Sequence, residues 1–174
     1  MKSTVSMIAG AVLAVSFSGL ASAAGQEAGA ECYAPMSAYS AGLPKVDGFE
    51  AMSAEKRIVE TTMVFRKAMS AAQDSQNCFE DAIAIADEGD LAELQRGAEE
   101  SSLVFSQVQV EFGAKLDEMS GDVLSDVAPA AGADTMAATE EQSVAGMELL
   151  FDSYMALERS QEISRGLSKA ARKS

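Results

Sequence analysis

The chain has 174 residues, with 13 basic and 27 acidic side chains, a net charge of −14, two cysteines and no histidine. So acidic a balance repels nucleic-acid phosphates and anionic lipid. Without histidine there is no His-assisted serine or cysteine nucleophile and no haem held through C-x-x-C-H, and zinc loses its usual ligands.

The first residues read as an export leader. Lys2 supplies a positive start, Val5 to Leu20 are apolar, and Ala21-Ser22-Ala23 offers an A-x-A cleavage site before Ala24. The apolar run is shorter than the ~20 residues a spanning helix needs, and Ser16, Ser18 and Gly19 interrupt it. The expected organisation is a leader over 1–23, an N-terminal arm over 24–52 and a helical bundle domain over 53–174. The expected location is periplasmic or secreted, with no stable membrane insertion after cleavage.

In the arm, residues 24–31 are rich in Ala, Gly and Glu and are expected to be disordered. Pro35, Gly42, Pro44 and Gly48 leave room for a short helix between Pro35 and Ala41 but no long one. Cys32 and Cys78 are the only cysteines, and in an exported chain they imply one disulfide. No C-x-x-C spacing places them for redox exchange.

Ser53 is the expected N-cap of the first long helix, with Glu55 complementing its dipole. From Ile58, the residues Thr62, Phe65, Met69, Ala72, Gln76, Phe79, Ile83 and Ala86 recur in steps of four and three, which specifies a helix with one buried edge to about residue 88. Gly89 reads as the terminating residue, and Asp90 with Glu93 as the capping box of the next helix. So short a connection makes the two helices antiparallel neighbours.

The second helix carries Leu91, Leu94, Ala98, Ser101, Phe105, Val108, Phe112, Leu116 and Met119 on one stripe, and should end between Val123 and Val127. The alternation over 102–110 is the sole strand-like pattern and lies inside that stripe. Ala128 to Ala138 reads as a linker with Pro129 and Gly132, and Thr139 with Gln142 as the cap of a third helix. That helix has a broad apolar stripe of Val144, Met147, Leu150, Phe151, Tyr154, Leu157, Ile163 and Leu167.

Ser53 to Cys78 spans about 37 Å of helix, so a disulfide forces the arm to run back along it. The expected fold is all-α, an elongated antiparallel three-helix bundle with the arm pinned by Cys32–Cys78. A four-helix bundle is the runner-up.

No G-x-S-x-G, Walker loop or G-x-G-x-x-G occurs. An enzyme built on carboxylates alone would resemble a glycosidase, yet there is no tryptophan for a sugar to stack on. The reading is therefore non-catalytic, with no cofactor. Met36, Met52, Met63, Met69, Met119, Met136, Met147 and Met155 carry soft sulfur ligands. Met69, Met119 and Met147 fall on the apolar stripes, where methionine fills gaps. Asp87, Glu88 and Asp90, and then Asp117, Glu118, Asp122 and Asp126, form two acidic clusters without calcium-loop spacing.

Arg159, Arg165, Lys169, Arg172 and Lys173 complement the last helix's dipole and form a candidate partner-docking tip. The expected function is an exported, non-catalytic helical binding or interaction protein, such as an adaptor, a chaperone-like protein or an envelope-assembly subunit. Its partner would be another protein or a second copy, with no nucleic acid. The alternative is a periplasmic cation-binding protein using Met, Asp or Glu ligands.

Overall fold

A buried phenylalanine stack shows how the helical stripes meet. Phe65 lies against Phe112 with ring centroids 3.9 Å apart and planes within 6°, and the Phe105 ring lies nearly parallel to Phe65 with centroids 6.5 Å apart. These rings join two helices of the computed structural model, which describes residues 18–126 and 136–172, with side chains over 25–123 and 144–172. The helices are α1 (Ser18–Ser37), α2 (Ala54–Ile85), α3 (Glu88–Asp126) and α4 (Met136–Ala170), with a 3-10 turn at Phe49–Ala51. No strand occurs among the described residues.

The protein is an all-α bundle. The α2–α3 hairpin forms its spine, and α1 and α4 each pack against both of those helices. At 39 residues α3 is roughly 58 Å long, so the bundle is elongated. One core cluster gathers Ile58, Phe65, Phe112, Leu116 and Leu150. The other gathers Cys32, Met36, Phe79, Leu94, Phe105 and Leu167.

Cys32 and Cys78 are bonded, with Cα atoms 5.3 Å apart, and the arm runs back along α2 as the helix geometry demands. One turn before Cys78, the Ser75 hydroxyl donates to the Cys32 carbonyl at 2.7 Å. The arm is helical up to Ser37, contrary to the expectation of a disordered start. Residues 24–31 belong to α1, which carries Pro35 in its last turn. There the ring forfeits a single backbone bond. The buried side chains of Cys32 and Met36 anchor that turn. The glycines of α1 serve close approach. A Cβ on Gly25 would lie 2.7 Å from the Asp90 Cα, and one on Gly29 would lie 3.4 Å from the Glu93 carbonyl.

Ser53 caps α2 as expected, accepting from the Lys56 amide at 3.4 Å. The α2–α3 boundary lies earlier than expected. Helix α2 ends at Ile85, Ala86 is extended, and Asp87 caps α3 by accepting from the amides of Gly89 and Asp90 at 2.9 and 3.1 Å. Asp90 is freed to accept from the Gly25 amide at 3.0 Å, tying α1 to α3.

Helix α4 begins at Met136, so Thr139 is inside it rather than capping it. Most of the expected linker, with Pro129 and Gly132, and the leader up to residue 17 lie outside the described residues. The buried edge of α4 also differs from the expected stripe. Gly146, Leu150, Ser153, Ala156, Ser160 and Leu167 face the core, while Val144, Met147, Phe151 and Tyr154 are exposed. Small residues let α4 sit close against the hairpin. The two serines meet their hydrogen-bonding needs by donating to the carbonyls of Leu149 and Leu157, both at 2.6 Å.

Candidate functional site

The segment between α1 and α2 is shaped by its backbone. After α1, the Tyr39 amide donates to the Met36 carbonyl at 2.9 Å and the Gly42 amide to the Tyr39 carbonyl at 2.8 Å. Gly42 has φ of +93°, a conformation that favours glycine. The Leu43 amide then donates to Glu111 Oε2 on α3 at 2.6 Å. That bond, a second one from Gln107 and the nearby Lys115 ammonium hold the Glu111 carboxyl below the usual glutamate range. The Gln107 bond contributes most. Burial of Leu43 fastens the strap to the core.

Beyond that anchor the strap arches over α2 and α3 and encloses an open-sided pocket of about 500 Å³. Its apolar wall comes from Leu43, Pro44, Val46, Phe49 and Ala51, and its charged lining from Lys45, Lys115 and Glu50. Phe49 has two cations close to its ring, with Lys115 Nζ 5.1 Å and Arg57 Cζ 5.6 Å from its centroid. Such contacts hold the ring in place. Arg57 is paired with Asp122 at 2.8 Å. Among the described residues neither Lys45 nor Lys115 forms an ion pair. Thr61, also on the pocket wall, is 1% exposed, and its hydroxyl has no hydrogen-bond partner among the described residues. A pocket of this size with an apolar wall and a few polar groups matches the usual form of a small-molecule site.

A second, smaller groove of about 170 Å³ separates α2 from α4 and is lined by Val59, Met63, Arg66, Leu149 and Asp152. On the outer edge of α4, Val144, Met147, Phe151 and Tyr154 form an exposed apolar stripe, Phe151 being 65% exposed. The Tyr154 hydroxyl donates to Asp117 at 2.7 Å, which raises its pKa.

Arg159, Arg165, Lys169 and Arg172 are all exposed, and Lys173 lies outside the described residues. Helical spacing puts Arg165, Lys169 and Arg172 on one edge, with Arg159 turned roughly a third of a turn away. The methionines divide. Met36 and Met119 are buried, Met69 is half-buried, and Met63 and Met147 are exposed, so Met147 is not the core filler expected of it. In the acidic clusters Asp87 caps a helix, Asp117 accepts from Tyr154 and Asp122 pairs with Arg57. Among the described residues no three His, Cys, Asp or Glu side chains are placed to hold a metal ion. No described helix is long and apolar enough to cross a membrane.

Sequence reasoning missed the pocket. Lys115 and Thr61 belong to helices remote in sequence from the strap. The available signal was Phe49, a lone aromatic beside a glycine in a segment without helical periodicity. Comparison of the chain with protein-family models, curated proteins and solved structures finds no match.

Proposed function

We propose that this is an exported, non-catalytic helical binding protein, and that the pocket beneath the 43–51 strap is its binding site. The observation that carries this reading is the pocket itself. It is walled by apolar side chains, supplied with two ammonium groups that form no ion pair among the described residues, and bounded by a strap anchored at Gly42 and Leu43. The disulfide across α1 and α2 and the leader-like first residues support an oxidising compartment outside the cytoplasm. Sequencing the N-terminus of the protein recovered from its host cell envelope tests the export step, with Ala24 as the expected first residue. Ligand-induced shifts of the amides over 43–51 test the binding step. If saturating small-molecule panels leave those amides unmoved, the pocket is not a binding site.

The exposed edge of α4 favours a second reading, association with protein. Val144, Met147, Phe151 and Tyr154 present a continuous apolar stripe that water disfavours. Sedimentation velocity of the wild type and Phe151→Ser tests it, with a larger species lost in the variant as the expected result. For the cation-binding alternative, no three His, Cys, Asp or Glu side chains come together among the described residues.

A further inference from the structure

We infer that the strap pocket takes a small organic monoanion, a carboxylate carried on an apolar chain or ring. This inference rests on the reading of the pocket as a binding site and names the chemistry of its ligand. The lining carries Lys45 and Lys115 against Glu50, one net positive charge on a chain whose overall charge is −14. A single excess charge matches a monoanion. A dianionic phosphate would call for more cations or a cradle of backbone amides.

Of the nearby carboxylates, Asp122 is balanced by Arg57, whereas Glu111 still attracts Lys115 and offsets part of this charge. Glu111 is committed to the Leu43 amide and to Gln107, and Asp122 to Arg57. Among the described residues neither lysine has a carboxylate at ion-pair distance, so an incoming carboxylate breaks no ion pair, and Lys115 keeps its place over the Phe49 ring. An organic cation is disfavoured by the same lysines and by Arg57 and Lys115 already occupying the neighbourhood of Phe49.

The rest of the ligand must be apolar, because Leu43, Pro44, Val46 and Phe49 offer it no hydrogen-bond donor beyond the backbone. Thr61 adds a buried hydroxyl with no partner of its own on the same wall. A pocket of about 500 Å³ accommodates a body the size of a medium-length acyl chain.

The test uses the full chain, expressed with its own leader and oxidised, titrated with octanoate, 1-octanol and octylammonium while backbone amide spectra are recorded. Octanoate is expected to shift amides over 43–51 and around Lys115, at least tenfold more tightly than octanol, and octylammonium is expected not to bind there. Lys115→Met keeps the apolar stem and should weaken octanoate at least tenfold, whereas Lys115→Arg should keep most of the affinity. Thermal unfolding of both variants establishes that they are folded. If octanol binds as tightly as octanoate at the strap, the anion assignment fails while the pocket remains a binding site. If octanoate shifts only amides elsewhere, or none of the three probes moves the strap, both readings fall.

Discussion

Thr62 Oγ1 on α2 and Ser153 Oγ on α4 lie 2.7 Å apart in the bundle interior, and each also faces its own helix. Thr62 reaches the Ile58 carbonyl at 2.7 Å and Ser153 reaches the Leu149 carbonyl at 2.6 Å. Two hydroxyl protons therefore serve three contacts, so one back-bond gives way whenever the interhelical bond forms. This pair is the polar latch between α2 and α4.

Its neighbour Thr61 has the opposite character. The Thr61 hydroxyl is buried without a partner, so replacing it by the near-isosteric valine removes an unmet polar group. Thr61→Val is expected to be neutral or to stabilise by about 1 kcal/mol, and Thr62→Val to destabilise by about 1–2 kcal/mol. Urea unfolding of the two single variants measures both. A double-mutant cycle between Thr62 and Ser153 should return a coupling of about 1 kcal/mol.

The disulfide closes the strap and most of α2 into a loop, its cysteines 46 residues apart. On the chain-entropy account, a loop of that length contributes about 4 kcal/mol. Reduction with dithiothreitol, or the Cys32→Ala, Cys78→Ala double variant, should lower the unfolding free energy by that order. Because the Cys32 carbonyl also accepts from Ser75, hydrogen exchange should rise first in residues 25–37 and leave the α2–α3 hairpin protected.

How much of this architecture was legible depended on which residues carried the signal. In α2 the large side chains Ile58, Phe65, Phe79 and Ile83 sit at helical spacing, and all are buried. The cysteine pair fixed the path of the arm, since one bond and one helix length leave it little choice. Helix α1 was missed because its buried edge is written in small residues. Gly25, Gly29, Cys32 and Met36 follow steps of four, three and four, but glycines and a proline read locally as breakers. Helix α4 misled in the same way, through Gly146, Ser153, Ala156 and Ser160 facing inward. At the α2–α3 corner Asp87 and Asp90 are equally good caps by type, and the tie with Gly25 that engages Asp90 is a long-range event. The pocket needed Lys115 to meet a strap far away in sequence, which no local pattern announces.

Acid should release the strap. The Glu111 carboxyl is held below its ordinary value of 4.5, so the stability it contributes is fully present above that pH and is lost as pH falls through the lowered folded value. The Leu43 amide resonance should titrate with a midpoint below 4.5, and the transition should vanish in Glu111→Gln. A midpoint at or above 4.5 would show that the Leu43–Glu111 bond does not persist in solution.

Gly42 supports the same anchor by a different route. Its φ is +93°, and an added Cβ would stand 2.3–2.7 Å from the Glu111 carboxylate. Gly42→Ala must either rotate the backbone or push Glu111 away from Leu43. The expected cost is roughly 1–3 kcal/mol, with loss of Leu43 amide protection as the specific sign. Gly48 has φ of +69° but nothing within 4 Å of its Cβ position, so Gly48→Ala should cost only backbone strain and leave the Leu43 amide protected.

The close approach of α1, α2 and α3 predicts opposite signs for two glycines on the same helix. At Gly97 an added Cβ would lie 3.0 Å from the Phe79 ring and 3.3 Å from the Gly29 carbonyl. Phe79 is fully buried and Gly29 is in α1, so neither yields without disturbing the core. Gly97→Val should destabilise by about 1–3 kcal/mol through overpacking. A Cβ added at Gly121, also in α3 and exposed, would meet nothing within 4 Å. There alanine lowers the backbone entropy of the unfolded chain without touching a neighbour, so Gly121→Ala should stabilise by about 0.5–1 kcal/mol. Thermal unfolding of the two variants measures both signs, and a stabilised Gly97→Val would mean that α1 does not sit against α3 as closely as described.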